Sequence, residues 1–229
     1  MIPYHDENET RRPAYVTMLI IALCVFAWLF VQGAGAAYPL AESVCNLGLI
    51  PGELTGLVPP GVGFAMGDGL VCVTDPGRQY LNVFTSMFLH GSWMHLIGNM
   101  WFLWLFGNNI EDSMTRPRYV VFYLVCGLAA ALLQVFAEPD SNVPMVGASG
   151  AISGLFGGTL LLMRQFNRRA TDRRTNGALI AIWVGITLMF AFFDIGIGGE
   201  SVAWLAHLGG FVAGLLLFPI LRPRPRGDF

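Results

Sequence analysis

The chain has 229 residues, of which 55% are hydrophobic and 12% are charged, and its formal net charge is −2. Its mean hydropathy of +0.59 is well above that of a soluble domain of this length, so the composition indicates a membrane protein surrounded by a lipid bilayer. The small net charge provides no basic surface, and no arginine cluster is interleaved with aromatic residues, which excludes nucleic acid as a partner.

Uncharged apolar runs predict the helices in chain order. Six runs cover residues 15–32, 93–106, 119–137, 151–163, 178–193 and 202–221. A transmembrane helix needs about 20 mostly apolar residues, so the predicted fold class is an all-α membrane protein with six spans. The first run resembles a secretory signal sequence, but its uncharged length exceeds the roughly 7 to 15 residues of such a sequence. We interpret it as a membrane anchor.

The arginines predict how the spans are oriented. With six alternating spans, twelve arginines lie on one side of the membrane and only Arg78 lies on the other. Basic residues near helix ends stay on the cytoplasmic side, so both termini are predicted to be cytoplasmic. Residues 1–13 and 222–229 are then cytoplasmic tails, and residues 14–221 form one membrane domain. The long segment of residues 36–92 faces the outer side, which we expect to be the outside of a bacterial plasma membrane.

A few strongly polar side chains interrupt the apolar runs, and such residues are usually functional. His95 and Asn99 are four residues apart in the second run, which places them on one helix face. Ser149 begins the fourth span, and His207 lies within the sixth. Spans two, four and six run in the same direction, so all four polar groups are predicted to lie in the outer half of the membrane.

Ser149 and His207 are predicted to lie at the same depth. Ser149 precedes Arg164 by 15 residues, and His207 precedes Arg222 by 15 residues. At a rise of about 1.5 Å per residue, both lie roughly 22 Å from the inner boundary. A hydroxyl and an imidazole at matched depth can form a nucleophile and its general base.

Glycines next to these two residues allow the helices that carry them to approach closely. Gly147 and Gly150 flank the serine, and Gly210 and Gly214 follow the histidine. Small residues four apart permit close contact between two helix backbones in a membrane. The imidazole can therefore reach the hydroxyl, although the same glycines are also compatible with a packing seam that carries no chemistry.

These motifs resemble those of the rhomboid family of intramembrane serine proteases. Residues 147–150 resemble the family's GxSG motif, residues 206–214 resemble its AHxxGxxxG motif, and residues 90–99 match its HxxxxHxxxN motif. The resemblance extends over about residues 85–214. It implies a six-transmembrane-helix rhomboid-like bundle with a long outer loop between helices 1 and 2. The implied activity is hydrolysis of peptide bonds in or near transmembrane segments of membrane-protein substrates.

The resemblance also implies a role for each residue of the site. Ser149 would be the nucleophile, and His207 would be the general base and acid. His95, Asn99 and the backbone N–H of the serine would form the oxyanion hole. Residues with a structural role near the site would be His90, Gly147, Gly150, Gly210 and Gly214. Neither a cofactor nor a metal ion is implied.

The chain departs from the family pattern at two places. Leu81 and Asn82 stand where relatives often have a Trp-Arg pair in the outer loop. Ser153 stands four residues after the nucleophile, where many relatives have an aromatic residue. The orientation of His207 is then expected to depend on other neighbours, such as Trp204.

Other classes of protein fit the sequence less well, although two alternatives remain open. An HExxH zinc motif is absent from the sequence, and Gly67-Asp68 lacks the GxGD pattern of aspartyl intramembrane proteases. A catalytically inactive rhomboid-like relative that binds membrane proteins, or a small transporter, would also account for buried polar groups. If the chain is a protease, the candidates for a gate that admits substrate are Phe190, Phe192 and Phe193. The candidates for a flexible cap are Gly196, Gly198 and Gly199.

Two of the four cysteines are predicted to form a disulfide. Cys24 and Cys126 lie inside apolar spans, where a thiol is ordinarily a small apolar group. Cys45 and Cys72 both lie in the outer segment, which faces an oxidising compartment if the membrane is a bacterial plasma membrane. Two free thiols too far apart to bond are the alternative.

Overall fold

The structure is a computed structural model that describes residues 12–67, 69–166 and 204–222, with residues 163–166 as backbone only. Its helices are α1 (Tyr15–Phe26), α2 (Ala37–Leu47), α3 (Pro51–Thr55), α4 (Asn82–Thr85), α5 (Trp93–Asp112), α6 (Arg116–Ala137), α7 (Ser149–Phe166) and α8 (Trp204–Leu221). A π-helical turn, Ala27–Val31, extends α1. Short 3-10 turns cover Gly33–Gly35 and Ser86–Phe88.

Helices occupy five of the six runs that the sequence predicts as spans, and the remaining run, residues 178–193, lies outside the described residues. By length and composition, α6 and α8 could cross a membrane, whereas the apolar helical segments Tyr15–Val31 and Ser149–Leu162 are shorter. Helix α5 has 20 residues, but it is less apolar because it includes polar residues such as His95, Asn99, Asn108 and Asn109.

The segment between the first two predicted spans has its own secondary structure. It contains α2, α3 and α4, together with a hairpin of β1 (Gly63–Gly67) and β2 (Leu70–Val73). The two strands are antiparallel, with Phe64 opposite Cys72. A disulfide joins Cys45 in α2 to Cys72 in β2, with the two Cα atoms 5.4 Å apart. We call residues 36–92 the outer segment.

The buried core lies between α1, α5, α6, α7 and α8. Its largest fully buried side chains include Trp28, Tyr119, Phe122, Leu155 and Phe218. Helices α7 and α8 also pack closely on α6. A Cβ atom added to Gly150 of α7 would lie 2.6 Å from the Ala130 Cβ atom. A Cβ atom added to Gly209 of α8 would lie 2.8 Å from the Ala129 carbonyl oxygen. These contacts hold α7 and α8 in a fixed position on α6.

One buried carboxylate fastens the start of α1 to the end of α5. Glu111 accepts hydrogen bonds from the backbone N–H groups of Val16 and Thr17, at 3.0 and 2.8 Å, and from the Thr17 hydroxyl at 2.8 Å. The first N–H groups of a helix have no acceptor within the helix, and a carboxylate there also interacts favourably with the helix dipole. Glu111 therefore caps α1 from a position 94 residues further along the chain.

Candidate active site

Ser149 is the first residue of α7, and its position follows from where that helix begins. The first helical hydrogen bond of α7 runs from the Ile152 N–H to the Ala148 carbonyl, at 3.0 Å. The N–H groups of Ser149, Gly150 and Ala151 therefore have no acceptor within the helix. The positive end of the α7 dipole lies at the same place, so the surroundings of the serine favour negative charge.

His207 of α8 lies against this serine. Its Nε2 atom is 2.7 Å from Ser149 Oγ, a normal hydrogen-bond distance for this pair. The imidazole is buried, with 5% of the residue exposed, and the serine is partly exposed. A neutral imidazole at this distance can accept the hydroxyl proton, and this contact makes the serine a candidate nucleophile.

The contact between Ser149 and His207 depends on how closely α7 and α8 approach. A Cβ atom on Gly210 would overlap the carbonyl oxygen of Gly150, and one on Gly214 would overlap the carbonyl oxygen of Gly154. The backbones of the two helices thus touch over the turn that runs from Gly210 to Gly214 in α8 and from Gly150 to Gly154 in α7. Only glycine fits at Gly210 and Gly214 without moving the helices apart, in agreement with the close approach predicted from the small residues.

His95 lies in the first turn of α5, next to the serine. Ser92 caps this helix, since its hydroxyl accepts a hydrogen bond from the His95 N–H at 3.1 Å. The Nδ1 atom of the His95 ring accepts a hydrogen bond from the Gly91 N–H at 3.2 Å. A neutral ring whose Nδ1 accepts carries its proton on Nε2, so Nε2 is a donor.

Gly147 allows this donor to lie close to Ser149. Its φ is +129°, a value that L side chains rarely adopt. A Cβ atom at this position would lie 2.8 Å from His95 Nε2 and 3.6 Å from Ser149 Oγ. The absence of a side chain on Gly147 therefore leaves room for the imidazole and places its Nε2–H beside the start of α7.

Asn99 lies one turn further along α5, on the same face as His95. It is fully buried, and its Nδ2 atom donates a hydrogen bond to the His95 carbonyl at 2.9 Å. The amide nitrogen has two hydrogens, so this contact uses one of them. Asn99 and His95 are thus held together on one face, as their spacing predicts.

His90 lies directly before α5 and is fully buried. Its ring packs edge-on against the ring of His95, with the centroids 5.1 Å apart. Burial, and then the charge that a protonated His95 would carry, lower the pKa of His90, so its ring is neutral. His90 therefore contacts a residue of the candidate site directly.

Sequence reasoning missed Gln32, whose side chain holds the main chain of His90. The Gln32 amide accepts from the His90 N–H at 2.9 Å and donates to the His90 carbonyl at 2.7 Å. Gln32 is fully buried. The available signal was a glutamine at the end of an otherwise apolar run, but the sequence does not reveal a partner 58 residues away.

The outer segment holds the loop that leads to Ser149. Leu49 and Met145 exchange two backbone hydrogen bonds, at 2.9 and 2.8 Å. The Gly52 N–H donates to the Ser141 carbonyl at 2.8 Å. The Thr55 hydroxyl donates to the Pro139 carbonyl at 2.6 Å. Residues 139–145 are therefore fixed before the chain enters α7.

The two departures from the family pattern have different structural outcomes. Asn82 donates its side-chain amide to the Asn46 carbonyl at 3.1 Å and so ties α4 to α2, whereas the neighbouring Leu81 is 76% exposed. Ser153 is buried one turn after the nucleophile. Trp204 lies one turn before His207 in α8 and is 57% exposed.

The predicted gate and cap, residues 190–199, lie outside the described residues.

Across the described ranges, no three His, Cys, Asp or Glu side chains form a group that could hold a metal ion.

Residues 77–224 match the family model for the rhomboid domain, and the chain belongs to the rhomboid family. The family consists of integral membrane proteins that are generally intramembrane serine proteases, so this protein is an integral membrane protein of the rhomboid family. The matched range includes Ser149, His207, His95 and Asn99.

Curated relatives show the same likeness over part of their length. The chain is 33% identical over 150 residues to rhomboid-like protease 5 of Toxoplasma gondii, a match covering 62% of this chain and 17% of that protein. It is 29% identical to RHOMBOID-like protein 11, chloroplastic, of Arabidopsis thaliana, covering 62% and 52%. It is also 29% identical to RHOMBOID-like protein 6, mitochondrial, of the same plant, covering 67% and 47%. The chain thus spans about half or less of these relatives.

Because these relatives include chloroplastic and mitochondrial proteins, membership of the family does not support the expected bacterial plasma membrane.

Proposed function

We propose that the protein is an intramembrane serine endopeptidase that hydrolyses peptide bonds in or near transmembrane segments of membrane-protein substrates. The observation that carries this proposal is the 2.7 Å contact between His207 Nε2 and Ser149 Oγ across the closely packed α7 and α8. Membership of a family whose members are generally proteases supports it.

In the proposed reaction, Ser149 Oγ attacks the carbonyl carbon of the scissile bond while its proton passes to His207 Nε2. The tetrahedral intermediate carries its negative charge on the former carbonyl oxygen. His207 then donates the proton to the leaving amine, and the acyl-enzyme forms. A water molecule, deprotonated by the same imidazole, attacks the acyl carbon; the imidazolium then returns the proton to Ser149 Oγ as the carboxylic acid product leaves.

The proposed oxyanion hole has three donors. They are the Ser149 N–H at the start of α7, the Nε2–H of His95 and the second amide hydrogen of Asn99. Each is held by contacts that exist before substrate binds, namely the helix start, the Gly91 hydrogen bond and the His95 carbonyl. Donors that are already oriented stabilise developing charge without reorganisation, and removing one typically costs about 3 to 4 kcal/mol.

We also propose the six-helix arrangement, with residues 14–221 as one membrane domain and both tails cytoplasmic. The arginine distribution supports this orientation. At the end of the helices away from Ser149, Arg12 donates to the Met114 carbonyl at 3.0 Å and Arg118 donates to the Leu221 carbonyl at 3.2 Å. An active site near the opposite ends of α5, α7 and α8 then opens to the outer side.

The experiment that tests the function is labelling of the purified protein by a fluorophosphonate probe, followed by cleavage of a membrane-spanning substrate. The wild type should be labelled, and Ser149→Ala and His207→Ala should not. Ser153→Ala is a matched control, because it removes a buried hydroxyl one turn away on the same helix and should be labelled normally. Labelling of Ser149→Ala would contradict the proposal, and a folded wild type that neither reacts nor cleaves would indicate an inactive relative.

A further inference from the structure

Gln32 makes two hydrogen bonds to His90, which precedes α5, the helix that carries the proposed oxyanion donors His95 and Asn99. Its Oε1 atom accepts from the His90 N–H at 2.9 Å, and its Nε2 atom donates to the His90 carbonyl at 2.7 Å. The side chain is fully buried. Gln32 also ends the π-helical turn of the first helix, where its own N–H donates to the Ala27 carbonyl at 2.9 Å.

The His90 carbonyl and the Gly91 N–H belong to the same peptide group. This group is planar, so fixing the direction of its carbonyl fixes the direction of its N–H. Gln32 holds the carbonyl, and the N–H on the other side donates to His95 Nδ1 at 3.2 Å. The acceptor role of the carbonyl also polarises the peptide and strengthens its N–H as a donor.

This arrangement sets the tautomer of His95. While the Gly91 N–H points at Nδ1, the neutral ring keeps its proton on Nε2, and Nε2 faces Gly147 and the start of α7. If the peptide rotated, Nδ1 could take the proton, and Nε2 would present a lone pair to the oxyanion. A lone pair there would repel the developing charge that the site must stabilise.

We propose that Gln32 is a positioning residue for the oxyanion hole, which acts through the His90–Gly91 peptide to keep His95 in the Nε2–H tautomer. The catalytic consequence rests on the proposed function. The tautomer itself does not depend on activity, so the two can fail separately.

The first test is ¹⁵N NMR of the imidazoles in the inactive Ser149→Ala protein, with the His95 signals assigned by their loss in His95→Ala. His95 should be the Nε2–H tautomer when Gln32 is present. In Gln32→Met, which keeps the length of the side chain but cannot hydrogen-bond, it should shift to a mixture or to Nδ1–H. An unchanged tautomer in folded Gln32→Met would overturn the inference.

The second test is kinetic. Gln32→Met should lower kcat by about 10-fold with KM within about twofold, a smaller loss than the roughly 100-fold or more caused by removing an oxyanion donor. In a His95→Ala background the same substitution should have no further effect on kcat, because its target is gone. An equal loss in both backgrounds would show a merely structural role and would overturn the inference.

Two further variants separate positioning from general loosening. Trp93→Phe removes another hydrogen bond between the same parts of the chain, from the indole N–H to the Ala34 carbonyl at 3.1 Å, and should leave kcat near the wild-type value.

Gln32→Glu can donate to the His90 carbonyl only when protonated, so its activity relative to wild type should rise as the pH falls. Absence of this rescue in a folded protein would count against the inference, whereas activity in Ser149→Ala would overturn the proposed function.

Discussion

Gly210→Ala should nearly abolish activity by moving α8 away from α7. The new Cβ atom would overlap the Gly150 carbonyl oxygen and lie 2.9 Å from the Gly150 carbonyl carbon. Both are backbone atoms, so no side chain can move aside, and the helices must separate by about 1 Å. Such a displacement stretches the 2.7 Å contact between His207 and Ser149 beyond hydrogen-bond range. Misplacing a catalytic group by this amount typically lowers the rate about 100-fold.

The assay is kcat/KM for a membrane-spanning substrate together with the thermal midpoint in detergent. Gly158→Ala is the matched control, because the three atoms nearest to its Cβ atom would be side-chain atoms of Phe218, Ile110 and Phe122, at 3.1 to 3.3 Å. Overpacking costs about 1 to 3 kcal/mol for either variant, so both should melt earlier. Only Gly210→Ala should also lose activity well below its melting temperature. Wild-type kcat/KM in Gly210→Ala would refute the reasoning.

Three further predictions concern stability away from the dyad. Glu111→Gln should lower the free energy of unfolding by about 2 kcal/mol in chemical denaturation, because the hydrogen bonds to α1 no longer have a charged acceptor. The control is Asp112→Asn, which removes an exposed ion pair and should lower the free energy of unfolding by under about 1 kcal/mol. Reducing the Cys45–Cys72 disulfide should destabilise the outer segment by roughly 3 kcal/mol and slow substrate cleavage, and a double serine variant should not respond to reductant. Burial raises the pKa of the Glu53 carboxyl, so the folded protein favours its protonated form. The stability that this preference contributes is fully present below pH 4.5 and is lost as the pH rises through the raised pKa. Glu53→Gln should remove this pH dependence, measured as the rate of limited proteolysis.

Those features of the site that depend on helical regularity could be predicted from the sequence. Counting residues back from the arginines placed Ser149 and His207 at one height, and their side chains lie 2.7 Å apart. The spacing of His95 and Asn99 placed both on one face of α5, where they are hydrogen-bonded. These predictions needed only a constant rise per residue and the steric size of glycine. The catalytic roles of these residues stay predictions.

Features that depend on contacts between distant parts of the chain could not be predicted. Gln32 was counted within an apolar run, because periodicity carries no information about a partner in the next span. The sequence indicates only a long outer loop at residues 36–92, yet this segment contains helices and a hairpin. Asn82 stands where relatives often have the second residue of a Trp-Arg pair. Its side chain connects α4 to α2 through a hydrogen bond to the Asn46 carbonyl. Short polar contacts of this kind leave no periodic pattern in a sequence.

The outer segment and the glycine seam, formed by Gly210 and Gly214 against Gly150 and Gly154, therefore constrain Ser149 from opposite ends. The seam fixes α7 against α8 below Ser149, while Leu49, Gly52 and Thr55 hold residues 139–145 above it. Neither constraint alone orients the first turn of α7, because a helix end is free to fray unless the residues before it are also held. The Gly147 N–H completes the attachment by donating to the Ser86 carbonyl at 2.9 Å, next to the chain that leads into α5. Ser149 and the proposed oxyanion donor His95 are thus connected to one another through the outer segment, so the folding of this long connection is expected to affect the geometry of the candidate site.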